Sequence, residues 1–253
     1  EIVCRNLRTP TGERLGNGAQ GLKASGMLMV DGVLYMLSRN AGSSTLAWSA
    51  DHGQTWAWAD WRWTESMGCP TFLNCGRNYA AARDGYTYIY SPDGPSAYEP
   101  YDAIVLARAP VGRLREREAY AFFRGFDAEG HPEWTADIGE RGAAFRHLGR
   151  CQRLDAVYHP GLGRYLLAVG YNHRGGWGMY DAPEPWGPWT TAYHTTYWGL
   201  GNTHYYRLPP RWLAPDGRSL WMAFSGRTYG GVMYDAMSIR HVTLDLADDA
   251  SGR

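Results

Sequence analysis

Four times along this chain a strand, a tight turn and a second strand recur, and this repeat limits the possible fold more than any other feature. The copies read MLMVDGVLYML (27–37), AAARDGYTYIY (80–90), VYHPGLGRYLLAV (157–169) and RWLAPDGRSLWMAF (211–224). Three of the turns are Asp-Gly, where glycine accepts the positive φ of a tight hairpin. Further strand-like segments follow each pair: STLAWSADHGQTW, AIVLARAP, WGMYDAPEPWGPW and MSIRHVTLDL. Units of three or four antiparallel strands cannot cover both faces alone, and stacking them radially protects their edges. The expectation is an all-β chain folded as one propeller domain over 1–253, with blades at about 21–63, 76–125, 150–198 and 202–247. One segment departs from it. In VGRLREREAYAFF (111–123), Leu114, Tyr120 and Phe123 line one helical face, which predicts a short surface helix between blades.

The totals narrow the function. A chain of 253 residues with 44% hydrophobic content suits one large domain. Lys plus Arg and Asp plus Glu are 25 each, so the chain lacks the cationic field that a nucleic acid or an anionic membrane surface calls for. No apolar run reaches the roughly 18 residues of a membrane span. The chain opens at Glu1 without a charged-then-apolar leader, which reads as a processed or truncated start. Four cysteines (Cys4, Cys69, Cys75, Cys151) show no zinc spacing. Cys69 and Cys75 are near enough in sequence to bridge, and buried free thiols fit equally well. Twelve Trp and 18 Tyr against 6 Phe favour rings with a polar handle. Such rings suit sugar faces, and they suit the outer strands of β-proteins too.

Ser49 to Trp56, SADHGQTW, fits the Asp-box pattern Ser-x-Asp-x-Gly-x-x-Trp, in which the carboxylate ties down a turn and the Trp packs between strands. Asp51 is therefore read as structural. PEPWGPW (183–189) occupies the equivalent place in the third unit, with prolines that break ladder pairing at an edge.

Several of these segments together resemble the DUF4185 family of secreted bacterial propellers: GLKASGMLMVDGVLYML, LAWSADHGQTWAWADW, GCPTFLNCGRNYAAARD, SAYEPYDAIVLAR and YDAPEPWGPWTT. The resemblance runs nearly end to end. It implies a five-bladed propeller, a secreted or periplasmic location and, because some relatives are glycoside hydrolases that cut D-arabinan, a polysaccharide or oligosaccharide substrate. Relatives begin with a further blade that carries aspartates. Residues 1–20 accordingly read as the tail of a first blade that is absent or incomplete here, or is supplied by a partner chain. NTHYYRLPPRW and FSGRTYGG depart from more acidic segments in the relatives.

The innermost strand of every blade borders the axis, so the polar residues that open these strands converge on one pocket. That position selects Lys23 and Ser25, Arg77 and Asn78, Arg153 and Asp155, and His204 and Tyr206, with CGRN and CQRL aligned so that Arg77 and Arg153 are equivalent. Cations gathered around one channel call for a carboxylate, phosphate or ligand to neutralise them. Glycoside hydrolysis needs two carboxyl groups, and Asp155 with Glu99 and Asp102 of SAYEPYD are the candidates. Lyase chemistry needs a Tyr or His base beside cations that neutralise a uronate, for which His204, Tyr206, Arg77 and Arg153 supply the types. His173 in YNHRGGWG and Arg227 in SGRTYGG lie on expected rim loops, where the glycines alternatively permit a bulge. Asp84 and Asp216 read as turn formers. No cofactor is expected, and no ligand spacing supports a calcium ion. Three functions follow: a secreted glycosidase, a polysaccharide lyase on a uronate-containing glycan, and a non-catalytic sugar-binding propeller.

Overall fold

The computed structural model describes residues 7–16, 18, 20–171, 175–200, 203–226 and 236–247, and these form strands joined by turns and four single-turn 3-10 helices. The first sheet runs β1 (Lys23–Val30), β2 (Val33–Ala41), β3 (Ser43–Ser49) and β4 (Ala57–Trp58) in sequence order. Asp31 and Gly32, with φ of 49° and 74°, make the two-residue hairpin between β1 and β2. Positive φ at both positions matches the twist of the flanking strands.

The second blade starts at β5 (Thr71–Asn74) and continues through β6 (Tyr86–Pro92), β7 (Tyr101–Pro110), β8 (Ala121–Phe126) and β9 (Pro132–Thr135). A further strand, β10 (Ala143–Cys151), pairs with the first half of β7. The third comprises β11 (Arg153–His159), β12 (Arg164–Gly170), β13 (Trp177–Ala182) and β14 (Thr190–Thr195), and the fourth β15 (His204–Arg207), β16 (Ser219–Ser225) and β17 (Met237–Thr243). β5 and β11 pair in parallel, Leu73 with Ala156 and Asn74 with Val157, which fuses the second and third blades into one ten-stranded sheet.

Two apolar layers hold the blades together. One lies among the first three, the other between the third and fourth. The third blade is covered on both faces: Tyr165, Leu167 and Val169 of β12 enter the first layer, Leu166 and Ala168 the second. That double burial explains why YLLAV is an unbroken apolar run, whereas a half-buried strand would alternate. On the fourth blade Leu220, Met222 and Phe224 face the core, and Trp221 alternates with them and is exposed.

Two local expectations are corrected. Residues 111–123 hold no α-helix, only a 3-10 turn at Arg117–Ala119 followed by strand β8. Leu114, Tyr120 and Phe123 are all core residues, and Tyr120 donates its hydroxyl hydrogen to the Leu114 carbonyl at 2.6 Å, so an irregular path brings them to the same interior. In the second unit the inner strand is Thr71–Asn74, ahead of residue 76. Residues 80–83 form the approach to a turn at Asp84, whose carboxylate accepts from the Tyr86 N–H at 3.0 Å and the Tyr88 hydroxyl at 2.6 Å.

β1 and β5 meet without a hydrogen-bonded ladder between them, and they come close because Gly26 has no side chain: a Cβ there would stand 2.9 Å from Thr71 Cα and 3.1 Å from Phe72 N. At Gly85 a Cβ would meet nothing within 4 Å. Gly26→Ala is therefore expected to lower unfolding free energy by about 1–3 kcal/mol in urea denaturation, through overpacking against backbone. Gly85→Ala is the matched control, with a change within about 0.5 kcal/mol.

Candidate functional site at the axial mouth

Arg207, the last residue of β15, ties the four inner strands together. Its guanidinium donates to the Asp155 carboxylate at 2.8 Å and the Leu154 carbonyl at 3.3 Å in β11, to Thr71 Oγ1 at 3.1 Å in β5, and to the Ser25 carbonyl at 2.8 Å in β1. The second Asp155 oxygen accepts from the Leu208 N–H at 2.7 Å. Burial works against the Arg207 charge, and the Asp155 carboxylate more than offsets it, so the pKa stands above the ordinary arginine value. A guanidinium suits this place because its five N–H donors are fixed in a plane and reach several acceptors at once.

Around this knot, on the side where β11 begins, lies a cluster of charge and aromatic rings. Arg39, at the far end of β2, is the register partner of Lys23 in β1. Its guanidinium lies 5.0 Å from the Tyr98 ring centroid. Arg153, opening β11, lies 4.3 Å from the Tyr205 ring and 6.0 Å from that of Tyr98. Tyr205 also stands 5.2 Å from Arg207, and its hydroxyl is 3.6 Å from Cys69 Sγ. Gln152 Nε2 donates to the Tyr98 carbonyl at 2.7 Å and fixes the loop that carries it. Tyr205 has φ of 55°, strained for an aromatic residue, and the β15–β16 register shifts between His204 and Arg207.

The two phenols are tuned in opposite directions. Burial alone would raise Tyr98, but hydrogen bonds from Asn40 Nδ2 at 3.1 Å and from Arg39, with the charges of Arg39 and Lys23, outweigh it and hold the phenol below the ordinary tyrosine value. Tyr205 is pushed up to about 12 by burial and by Cys69, against the opposing pull of Arg153, Arg39 and Arg207. Tyr98 is thus the phenol suited to lose a proton and Tyr205 the one suited to keep it.

The structure brings Lys23 and Arg153 to this mouth, with Asp155 one layer inside it and engaged by Arg207. Glu99 is exposed on the loop next to Tyr98. His204 is buried at the start of β15, 5.6 Å ring to ring from Tyr205. Other candidates fall elsewhere. Arg77 and Asn78 sit beyond the opposite ends of the inner strands, lining a cavity of about 960 Å³ with Met29, His52, Asn74 and Arg211. The register Leu73↔Ala156 corrects the alignment of CGRN with CQRL, since it sets Arg153 level with Pro70 and leaves Arg77 seven residues further along. Asn78 instead accepts from the Gly32 N–H at 3.1 Å. Tyr206 is buried against Trp177, stacked at 5.1 Å, with its hydroxyl 2.8 Å from Thr203 Oγ1; it faces the core because strand alternation sends Tyr205 to the axis instead. Asp102 is exposed and accepts from the Gly149 N–H at 2.7 Å. His173 and Arg227 lie outside the described residues. Cys69, Cys75 and Cys151 are buried free thiols, so the Cys69–Cys75 bridge is not formed.

Arg39, Tyr98, Tyr205 and Arg207 were not singled out from the sequence. Arg39 ends a second strand rather than opening a first. Tyr98 and Tyr205 are each one residue from a chosen candidate, and no signal in the sequence marks either of them. At the Ser49–Trp56 turn, Asp51 accepts from the Thr55 hydroxyl at 2.6 Å and the Thr55 N–H at 2.9 Å, and these bonds hold its carboxyl far below the usual range. Asp51 is spent on the turn.

No protein-family profile and no curated protein matches the sequence. Solved structures do match over nearly the whole chain. A candidate hydrolase of Bacteroides ovatus aligns with a TM-score of 0.56 at 14% identity, covering 88% of this chain and 61% of its own. A GH43 β-xylosidase/α-arabinofuranosidase from a compost microbial metagenome, in complex with xylotriose, aligns with a TM-score of 0.56 at 15% identity, covering 90% and 72%. The GH43_1 enzyme from Xanthomonas citri complexed with xylotriose gives 0.52 at 18%, covering 90% and 70%. The fold is a β-propeller. This propeller spans 61–72% of the length of those three chains, and identities this low carry the architecture alone.

Two measurements check the site. Arg207→Met leaves Asp155 without its cation and is expected to destabilise the propeller by about 3 kcal/mol in denaturant titration, with Arg207→Met/Asp155→Leu recovering part of the loss. In alkaline absorbance titration, the first tyrosinate step of the wild type falls below pH about 10 and is missing in Tyr98→Phe.

Proposed function

We propose that this chain is a carbohydrate-active propeller of the glycoside hydrolase type, secreted or periplasmic, that engages a glycan at the mouth formed by Arg39, Tyr98, Arg153 and Tyr205. The observation that carries this reading is the convergence of two guanidiniums and two phenols, one from each of four blades, on one end of the axis. Tyrosine rings offer apolar faces to sugar C–H groups and hydroxyls to sugar oxygens, and arginine forks supply dense donors. The fold is shared with GH43 enzymes whose structures hold xylotriose, which supports a saccharide ligand. The motifs from GLKASG to PWTT support a DUF4185-like kinship.

Hydrolysis here would use Glu99 as the acid or base at the rim and Asp155 as its partner, and Asp155 would have to exchange its bond to Arg207 for one to water or sugar. A second reading, β-elimination, is favoured by the lowered Tyr98 phenol beside two cations. In that reaction the Tyr98 oxygen takes the proton next to a uronate carboxylate, the electron pair becomes a C=C bond, the C–O bond to the leaving sugar breaks, and the leaving oxygen picks up a proton.

Digestion of a panel of neutral and uronate-containing glycans separates the two. Hydrolysis gives new reducing ends with no near-ultraviolet absorbance, and Glu99→Gln then lowers kcat by about 100-fold or more. Absorbing unsaturated ends that vanish in Tyr98→Phe would establish elimination instead, and binding without any cleavage would leave a sugar-binding propeller.

A further inference from the structure

Among the described residues only two lysine, arginine, aspartate or glutamate residues are buried: Arg39 and Arg153, 6% and 5% exposed. Neither is paired with a carboxylate there, whereas Arg83, Arg113, Arg141 and Arg164, all more exposed, each hold an acid. Asp155 is committed to Arg207 and the Leu208 N–H. The Nε atoms of Arg39 and Arg153 have no hydrogen-bond partner; Arg39 donates to the neutral Tyr98 phenol, and its contact with Asn40 Oδ1, at 3.5 Å, is at the limit of a bond.

Magnitudes decide what this means. Taking a charge out of water costs several kcal/mol even after relaxation, while each ring face returns about 0.5–2 kcal/mol. The Tyr98 and Tyr205 faces therefore do not replace a counter-ion. Lys23, Asn40 and Tyr98 beside the two arginines are half-buried, so the guanidiniums sit just behind a solvent-facing rim. Both lie against the same Tyr98 ring and both act on the Tyr205 phenol, which places them beside the same two rings.

The geometry points to a carboxylate subsite: Arg39 and Arg153 receive the carboxylate of a uronic-acid unit, with that unit's ring against Tyr98 and Tyr205. The inference rests on the carbohydrate reading above and names its substrate class. A planar two-oxygen anion matches a guanidinium fork edge to edge, which a sugar hydroxyl does not.

The test is titration calorimetry of the full chain at low salt with oligogalacturonate, oligoglucuronate, their methyl esters, neutral xylo-oligosaccharide and a sulfated galactan oligosaccharide, alongside thermal melting of each variant without ligand. A uronate oligomer is expected to bind, its methyl ester to bind about tenfold or more weakly, and Arg39→Met or Arg153→Met to lose a similar factor. Arg39→Lys keeps charge without the fork and recovers only part of it. Without ligand, both Met variants are expected to melt at or near the wild-type temperature, because neither arginine holds a carboxylate whose charge its removal would strand. Met variants that melt lower and bind the uronate as well as wild type would make the arginines structural and overturn the proposal. Equal affinity for esters or neutral xylo-oligosaccharide, or preference for the sulfated chain, would overturn the carboxylate subsite and leave the carbohydrate reading standing. Binding of no saccharide in the panel would remove both.

Discussion

The pair formed by Arg207 and Asp155 is the interaction on which the rest of the ring depends. A propeller has few covalent or hydrogen-bonded links between blades, and here the inner strands β1 and β15 have no ladder to their neighbours on the axis. One guanidinium substitutes for those ladders, reaching Ser25, Thr71, Leu154 and Asp155 in three different strands. The carboxylate keeps the cation charged at a place where burial alone would disfavour it. An acid at the axis is usually the first suspect for chemistry, and in this chain its geometry is that of a clasp.

One layer further out lie the guanidiniums and phenols of the mouth, Arg39, Arg153, Tyr98 and Tyr205. The neighbours in fold space include xylosidases, yet this mouth is rich in guanidinium and phenol. A shared scaffold carries several activities across many folds, so the chemistry is read from these residues and not from the architecture. The opposed tuning of two neighbouring phenols is the property that distinguishes this mouth from a surface patch of tyrosines. Tyr98 is bonded by donors and Tyr205 is buried beside a thiol.

Much of the architecture was legible in the chain because hairpins announce themselves locally. Asp31-Gly32 is read from two residues, and the apolar run of β12 and the alternation of β16 report burial on two faces and on one. What was misread depends on partners distant in sequence. Residues 111–123 carry a helical spacing of apolar groups, but Leu114, Tyr120 and Phe123 are drawn into the shared core along an irregular path. The site was half legible for the same reason. Lys23, Arg153 and Asp155 follow from the rule that inner strands open on the axis. Arg77 does not, because the parallel register of β5 with β11 is set by tertiary packing and leaves no local mark. Tyr205 was passed over for Tyr206 because which face of β15 meets the core is set by distant partners such as Trp177, and nothing in HYYR announces it.

The parallel pairing of β5 with β11 has a mechanical consequence. It welds two neighbouring blades into a single plate of backbone hydrogen bonds, while the seams on either side, β1 against β5 and β11 against β15, are held by side chains and close packing. Breathing of the ring concentrates at those two seams, where the least hydrogen-bonded structure must be broken. Arg39 stands on the blade outside one seam and Tyr205 outside the other, with Arg153 on the plate between them, so the floor of the mouth is rigid and its two walls are hinged.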